Sequence, residues 1–210
     1  MRPFLSAAFT GLLLTLSFPS VGHPLFAWIA LVPLLTVLFN VHSRTAFCLG
    51  LLSGVIHFAG TIYWIPGVMA NFGGLPVFMA WCVHLLFVLF LGSFIAVFAV
   101  LINGLVKRFG QIGLMFAPAV WVTMELGRIH LFTGFPWLLL GYSQVPFLAI
   151  AQAASIVGVL GVSILVAAVN GSISYSLVGR GNVRGLPVIV TGAVFLAVFA
   201  FGILRLERAV

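Results

Sequence analysis

The sequence predicts an all-α membrane protein, a polytopic bundle of about seven transmembrane helices with a short re-entrant or interfacial loop after the fifth. Of its 210 residues, 63% are hydrophobic and only 5% are charged, whereas a soluble domain carries about 25% charged residues. The apolar residues form stretches long enough to cross a bilayer, separated by short turns. Because helices pair their own backbone groups in hydrocarbon, we expect a single transmembrane domain over residues 1–210.

The seven predicted spans follow the apolar stretches in order, at residues 4–19, 25–41, 45–66, 75–105, 112–130, 147–178 and 186–204. Arg2 and the apolar stretch after it resemble a signal peptide, with Ser20-Val21-Gly22 as a cleavage site. We favour a retained first helix ending at Pro19, because the next apolar stretch begins almost at once. The fourth and sixth spans exceed the bilayer thickness, so they must tilt or project beyond it.

Small residues predict where the helices pack. Gly50 and Gly54 form a GxxxG pair in the third span, and Gly92 with Ala96 forms a related pair in the fourth. Such pairs let helix backbones approach closely in a membrane.

The basic residues indicate the orientation. Nine Lys and Arg residues against two Asp and Glu residues give a net charge of +7, but they are scattered between apolar runs, which argues against a nucleic-acid partner. A cytoplasmic N-terminus and a periplasmic C-terminus obey the positive-inside rule. This orientation leaves only Arg128, Arg205 and Arg208 outside and places the others inside: Arg2, Arg44, Lys107, Arg108, Arg180 and Arg184.

Polar residues concentrate late in the fifth span and in the loop after it. Glu125 and Arg128 are three residues apart, so they share a helix face and can pair, although Arg128 could equally bind a phosphate. The loop, residues 133–144, is too short to span and is broken by Pro136. Irregular backbone at that depth packs against protein or a wet cavity. We therefore expect a cavity open to the outer leaflet, lined by Trp121, Glu125, Arg128, Phe135, Pro136, Trp137, Tyr142 and Gln144.

A second group lies at the end of the third span, where Tyr63 and Trp64 are candidates for the same cavity or for an interfacial aromatic belt. His57 and His84 lie in mid-helix and are expected to bond neighbouring helices. Cys48 and Cys82 have no metal-ligand spacing. The pattern predicts no metal site and no cofactor.

An ordered set of motifs resembles one family, the membrane (N-terminal) domain of bacterial apolipoprotein N-acyltransferase. Each motif is weak alone, but their order and spacing together cover nearly the whole chain. They are Leu16-Ser17-Phe18-Pro19, Trp28, Leu31-Val32-Pro33-Leu34-Leu35, Gly50 with Gly54, Tyr63-Trp64, Phe72-Gly73-Gly74-Leu75-Pro76, Pro118, Trp121, Glu125, Arg128, Phe132-Thr133-Gly134-Phe135-Pro136-Trp137, Gly141-Tyr142-Ser143-Gln144, Gly158, Gly161 and Asn170.

The resemblance implies a multi-pass protein of the bacterial inner membrane that acts in lipoprotein maturation. Its substrates would be a phospholipid acyl donor and the N-terminus of a lipoprotein. In the family, the acyl chain passes through a thioester on a nitrilase-like periplasmic domain, which carries a Glu-Lys-Cys triad and follows the seventh helix.

This sequence stops at Val210, about where the nitrilase-like domain would begin. The only lysine, Lys107, is predicted on the inner side and Glu125 on the outer side, so no catalytic residue is carried over. We therefore expect the chain alone to be catalytically incomplete, as a truncated or split enzyme would be. A separate nitrilase-like catalytic chain is then a candidate partner. The alternative is a non-enzymatic membrane scaffold or a transporter, although a transporter typically shows internal repeats and broken mid-membrane helices.

Overall fold

The computed structural model describes residues 1–18, 22–131, 134–179 and 185–208, and all regular secondary structure in these ranges is helical. The α-helices are α1 (Arg2–Leu16), α2 (Val32–Val37), α3 (Ser43–Thr61), α4 (Ile65–Asn71), α5 (Val77–Phe109), α6 (Ala117–His130), α7 (Leu148–Ala151), α8 (Ala154–Val178) and α9 (Leu186–Glu207). Short 3-10 helices lie at Pro24–Trp28, Leu38–Asn40, Gly110–Phe116 and Leu140–Gln144. Several predicted features fall on residues outside the described ranges: Pro19, Ser20, Val21, Phe132, Thr133, Arg180 and Arg184.

The long helices confirm a helical membrane protein. In the described ranges, three stretches are long and apolar enough to cross a membrane: Val77–His130, Ala154–Val178 and Leu186–Glu207. The pair Ser43–Thr61 and Ile65–Asn71, bent by 51°, makes a fourth if it is counted as one span. The first stretch folds back near Gly110, so that α5 and α6 lie side by side. The rings of Phe98 in α5 and Trp121 in α6 show this contact, with centroids 5.1 Å apart.

The first and second predicted spans are shorter than expected. Arg2–Leu16 and Pro24–Asn40 are apolar but below the length of a full crossing, and the second is broken into two 3-10 helices around α2. Helices therefore lie at every predicted span, while seven crossings remains a prediction.

Asn170 of α8 supplies the hydrogen bonds that the broken second span cannot make for itself. Its Oδ1 accepts from the backbone N–H of Leu31 at 2.8 Å, and its Nδ2 donates to the carbonyl of Ala27 at 2.9 Å. The side chain is fully buried. Because lipid offers no partners to free backbone groups, this residue allows an irregular segment to lie inside the bundle.

The predicted small-residue contacts are confirmed between α3 and α5. A Cβ at Gly54 would lie 2.6 Å from the Cα of Gly92, and one at Gly50 would lie 2.7 Å from the Cα of Ala96. The two helices therefore touch backbone to backbone, which side chains larger than hydrogen at these positions would prevent.

Gly54→Ala is expected to lower the free energy of unfolding by about 1–3 kcal/mol, because the added methyl group must push α5 away. Thermal unfolding of the purified protein in one detergent measures the change. Gly104→Ala is the matched control, since a Cβ there meets nothing within 4 Å. An Ala in an unobstructed helix position is neutral or stabilising. Equal melting temperatures for the two variants would contradict the contact.

Polar side chains join neighbouring helices at both ends of the bundle. At one end, Lys107 donates to Ser43 Oγ at 3.1 Å, and Gln111 donates to the Tyr175 hydroxyl at 3.1 Å. At the other end, Arg205 of α9 donates to Ser155 Oγ at 2.6 Å. These are the ends predicted to be inner and outer; which one faces the cytoplasm remains a prediction.

Candidate functional site

Helix α6 carries a polar stripe on its buried face. Pro118 fits the first turn, where no helical N–H partner is needed. Trp121, Glu125 and Arg128 follow at spacings of four and three residues, which places them on one face. Glu125 is 3% exposed and Arg128 is 6% exposed, so both charged groups are held inside the protein.

Glu125 and Arg128 each bond the loop after α6 and do not bond one another directly. Glu125 Oε1 accepts from Trp121 Nε1 at 2.9 Å and from the Leu140 backbone N–H at 2.6 Å. Arg128 Nη2 donates to the Leu138 carbonyl at 3.0 Å, and the guanidinium lies 5.2 Å from the Phe58 ring centroid. The expected pairing of Glu125 with Arg128 is therefore an electrostatic attraction without a hydrogen bond between the two side chains. The loop thus takes one N–H of Arg128 and one oxygen of Glu125, and a phosphate role for Arg128 remains a prediction.

The loop itself is strained at the residue that these two side chains enclose. Leu138 has a φ of +58°, which a branched side chain rarely adopts. Arg128 donates a hydrogen bond to the Leu138 carbonyl, and Glu125 accepts one from the N–H of Leu140, two residues later. Farther along, Gly141 donates to Ser163 Oγ of α8 at 2.8 Å. The loop is thus fixed between α6 and α8.

A cavity lies beneath Leu138, between α3, α5 and α6. The volume that the centre of a water molecule can occupy in it is about 20 Å³. Three of the predicted site residues, Trp121, Glu125 and Arg128, line it. The remaining lining residues are His57, Phe58, Phe94, Ile95, Phe98, Met124 and Leu138.

A separate aromatic cluster forms the outward side of the loop. The Trp137 and Trp64 ring centroids are 5.8 Å apart, those of Trp137 and Phe135 are 5.4 Å apart, and those of Phe135 and Phe87 are 5.0 Å apart. Trp64 is 42% exposed and Trp137 is 52% exposed. The structure therefore brings Trp64 and Trp137, which are far apart in the sequence, into one exposed surface.

Tyr63 lines a third region, an apolar groove of about 460 Å³ between α3 and the start of α5. The groove carries two further aromatic rings, Phe78 and Trp81, and the polar side chains of Cys82 and His84. Its other lining residues are Val55, Ala59, Leu85 and Val88.

The ten predicted site residues therefore divide among different surroundings and do not share one cavity. Gln144 is fully buried, where it accepts from Trp28 Nε1 at 3.0 Å and donates to the Pro24 carbonyl at 3.0 Å. Pro136 and Tyr142 are exposed. Gln144 thus supports the fold, because its bonds hold the loop to the segment before α2.

Sequence reasoning missed Leu138, Ser163 and the position of His57. His57 was expected to bond a neighbouring helix, but its Nδ1 has no hydrogen-bond partner in the described structure. It packs between Phe18 and Phe58, with ring centroids 5.6 and 4.7 Å away. A leucine in a left-handed conformation leaves no signal in the sequence, whereas a serine in α8 could have been weighed as a buried donor.

Comparisons with known proteins place these features in a family. Residues 10–172 match the family model described as apolipoprotein N-acyltransferase N-terminal domain. Similar curated proteins, each named apolipoprotein N-acyltransferase, come from Geobacter metallireducens (38% identical over 98% of this chain), Methylococcus capsulatus (34% over 92%) and Pasteurella multocida (33% over 76%).

The chain covers 40%, 39% and 30% of the length of these three relatives, respectively. The match of the family model and the identity across nearly all of the sequence lead to one conclusion. The chain belongs to the apolipoprotein N-acyltransferase family, as its N-terminal membrane domain.

Proposed function

We propose that this chain is the lipid-holding part of an apolipoprotein N-acyltransferase. It keeps the acyl chains of a phospholipid donor and of a lipoprotein N-terminus at the outer leaflet while an acyl group is transferred between them. The observation that carries the proposal is the exposed surface formed by Trp64 and the loop residue Trp137, in a chain that is similar over 98% of its length to a relative named apolipoprotein N-acyltransferase. The protein would lie in the bacterial inner membrane with its N-terminus in the cytoplasm.

The geometry supports lipid holding in two ways. Tryptophan rings favour the level of the lipid headgroups, where an apolar ring and a polar N–H are both accommodated. The groove beside Tyr63 adjoins the same end of α3, and its mostly apolar lining suits an acyl chain. A loop anchored by buried Glu125 and Arg128 presents these rings in a defined position, which lowers the entropic cost of binding.

The chemistry of transfer is assigned to groups outside this chain. Acyl transfer through a thioester needs a thiolate next to a base. The one lysine of the sequence bonds Ser43 at the opposite end of the bundle from Glu125. A nitrilase-like catalytic domain, on the same polypeptide or on a separate chain, is therefore the partner that the proposal requires.

Trp137→Ala is expected to reduce co-purified phospholipid about two- to tenfold, because an aromatic contact contributes about 0.5–1.5 kcal/mol beyond its buried area. Native mass spectrometry of the protein released from detergent counts the bound lipids. Phe9→Ala is the matched control, since Phe9 is 54% exposed on α1, away from the loop. An equal loss in both variants would remove the loop surface from the proposal.

The transfer itself is tested in membrane vesicles with an alkyne-labelled phospholipid and a diacylated lipopeptide. We expect no labelled lipopeptide from this chain alone, and labelling when the C-terminal region of a relative is co-expressed. Transfer by the chain alone would overturn the division of roles. Absence of transfer in both cases, with lipid binding intact, would favour a non-enzymatic scaffold.

A further inference from the structure

Two residues that line the cavity beneath Leu138 each carry a buried polar atom without a direct hydrogen-bond partner. Glu125 Oε2 and His57 Nδ1 form no hydrogen bond in the described structure, although the Ser163 hydroxyl interacts with the Glu125 carboxyl. Both side chains are 3% exposed, and both line the same cavity. One belongs to α3 and the other to α6, so the unmet hydrogen-bonding capacity lies between two helices.

Burying such groups without a hydrogen-bond partner lowers the stability of the folded state. A buried polar atom without a partner loses its hydration without replacement, at about 1–3 kcal/mol, and a charged group loses more. Empty cavities in proteins are typically apolar, whereas polar cavities hold water with two to four partners. This cavity carries an acid, an imidazole and a guanidinium, and the part of it wide enough for water suits about one molecule.

We propose that this cavity is a hydration site, in which one ordered water links Glu125 Oε2 of α6 to His57 Nδ1 of α3. The water donates to the carboxylate oxygen, and it donates to or accepts from the imidazole according to the tautomer of His57. Arg128 can contribute a further N–H, because its bond to Leu138 uses one of five donors.

The site has a structural consequence for the loop. Glu125 already accepts from the Leu140 N–H through its other oxygen, so a water on Oε2 extends this chain of hydrogen bonds to the C-terminal part of α3. The loop that carries Trp137 would then be fixed to α3 as well as to α6 and α8.

Hydroxyl-radical footprinting with X-ray radiolysis tests the proposal on the chain in phospholipid nanodiscs. Radicals formed from an internal water label the side chains next to it. Trp121 and Trp28 are matched probes, since each is 8% exposed and each bonds a buried side chain through its Nε1. Only Trp121 lines the cavity. We expect Trp121 to be labelled several-fold faster than Trp28.

The variant His57→Phe removes one of the two anchoring groups and fills the space with a ring. Labelling of Trp121 should then fall to the rate of Trp28. Equal rates for the two tryptophans in the unmodified protein would show a dry cavity and overturn the proposal, whether or not the variant folds. Fast labelling of Trp121 that survives His57→Phe would overturn the link to His57.

Discussion

Replacing Glu125 by leucine is expected to lower the free energy of unfolding by about 2–4 kcal/mol. The substitution leaves the Trp121 indole N–H and the Leu140 backbone N–H buried without an acceptor. It also leaves Arg128, 6% exposed, without the negative charge beside it. Interhelical hydrogen bonds in membranes average only about 0.6 kcal/mol, but here two buried donors and a charge lose one shared partner.

Thermal unfolding in a single detergent measures this effect, with Glu125→Gln and Thr123→Ala as comparisons. The amide of Glu125→Gln keeps an oxygen for the two donors, so its loss should be clearly smaller. Thr123 is exposed on the same helix and bonds only the Ala119 carbonyl of its own helix, so its removal should be close to neutral. A Glu125→Leu protein as stable as Thr123→Ala would show that the loop does not depend on the carboxylate.

Asn170→Leu is expected to lower the free energy of unfolding by about 2–3 kcal/mol, because it leaves two buried backbone groups without a hydrogen-bond partner. The Leu31 N–H and the Ala27 carbonyl belong to the irregular second span and would lose their buried partner. The leucine preserves the approximate volume, so the loss reports hydrogen bonding more than packing. Urea or thermal unfolding in detergent, followed by tryptophan fluorescence, provides the measurement.

Ser172→Ala provides the control for this prediction, two residues further along α8. The Ser172 hydroxyl is fully buried and has no hydrogen-bond partner in the described structure. Removing it should leave stability unchanged or raise it, because a buried hydroxyl without a partner carries only a desolvation cost. If Ser172→Ala were as damaging as Asn170→Leu, general sensitivity of α8 to substitution would explain both.

The fold class could be predicted from the sequence because the bilayer restricts the choices. Long apolar runs with few charges leave helices as the only way to pair the backbone, and small residues show where helices touch. The spacing of Gly50 with Gly54 and of Gly92 with Ala96 marked these helices as contact sites, and the structure shows that the two pairs meet each other. The break in the second span did not, because the polar partner that permits it, Asn170, lies about 140 residues away in the chain.

The site was predictable in composition but not in arrangement. Glu125, Arg128 and Trp137 stood out because polar and interfacial residues are rare in so apolar a chain. Which of them share a cavity depends on how the loop folds back, and that is decided by backbone groups of Leu138 and Leu140 that every residue type possesses. The pairing of Trp64 with Trp137 likewise depends on the meeting of α3 and the loop.

Leu138 makes the two faces of the loop energetically interdependent. A left-handed conformation costs a leucine roughly 1–2 kcal/mol. The hydrogen bonds that Arg128 makes with the Leu138 carbonyl and Glu125 with the Leu140 N–H keep the residue in that conformation. When these hydrogen bonds are weakened, Leu138 relaxes and rotates the peptide group that joins it to Trp137. A perturbation confined to the protein interior would therefore be felt as a reorientation of an indole at the lipid boundary, without any contact between the two places.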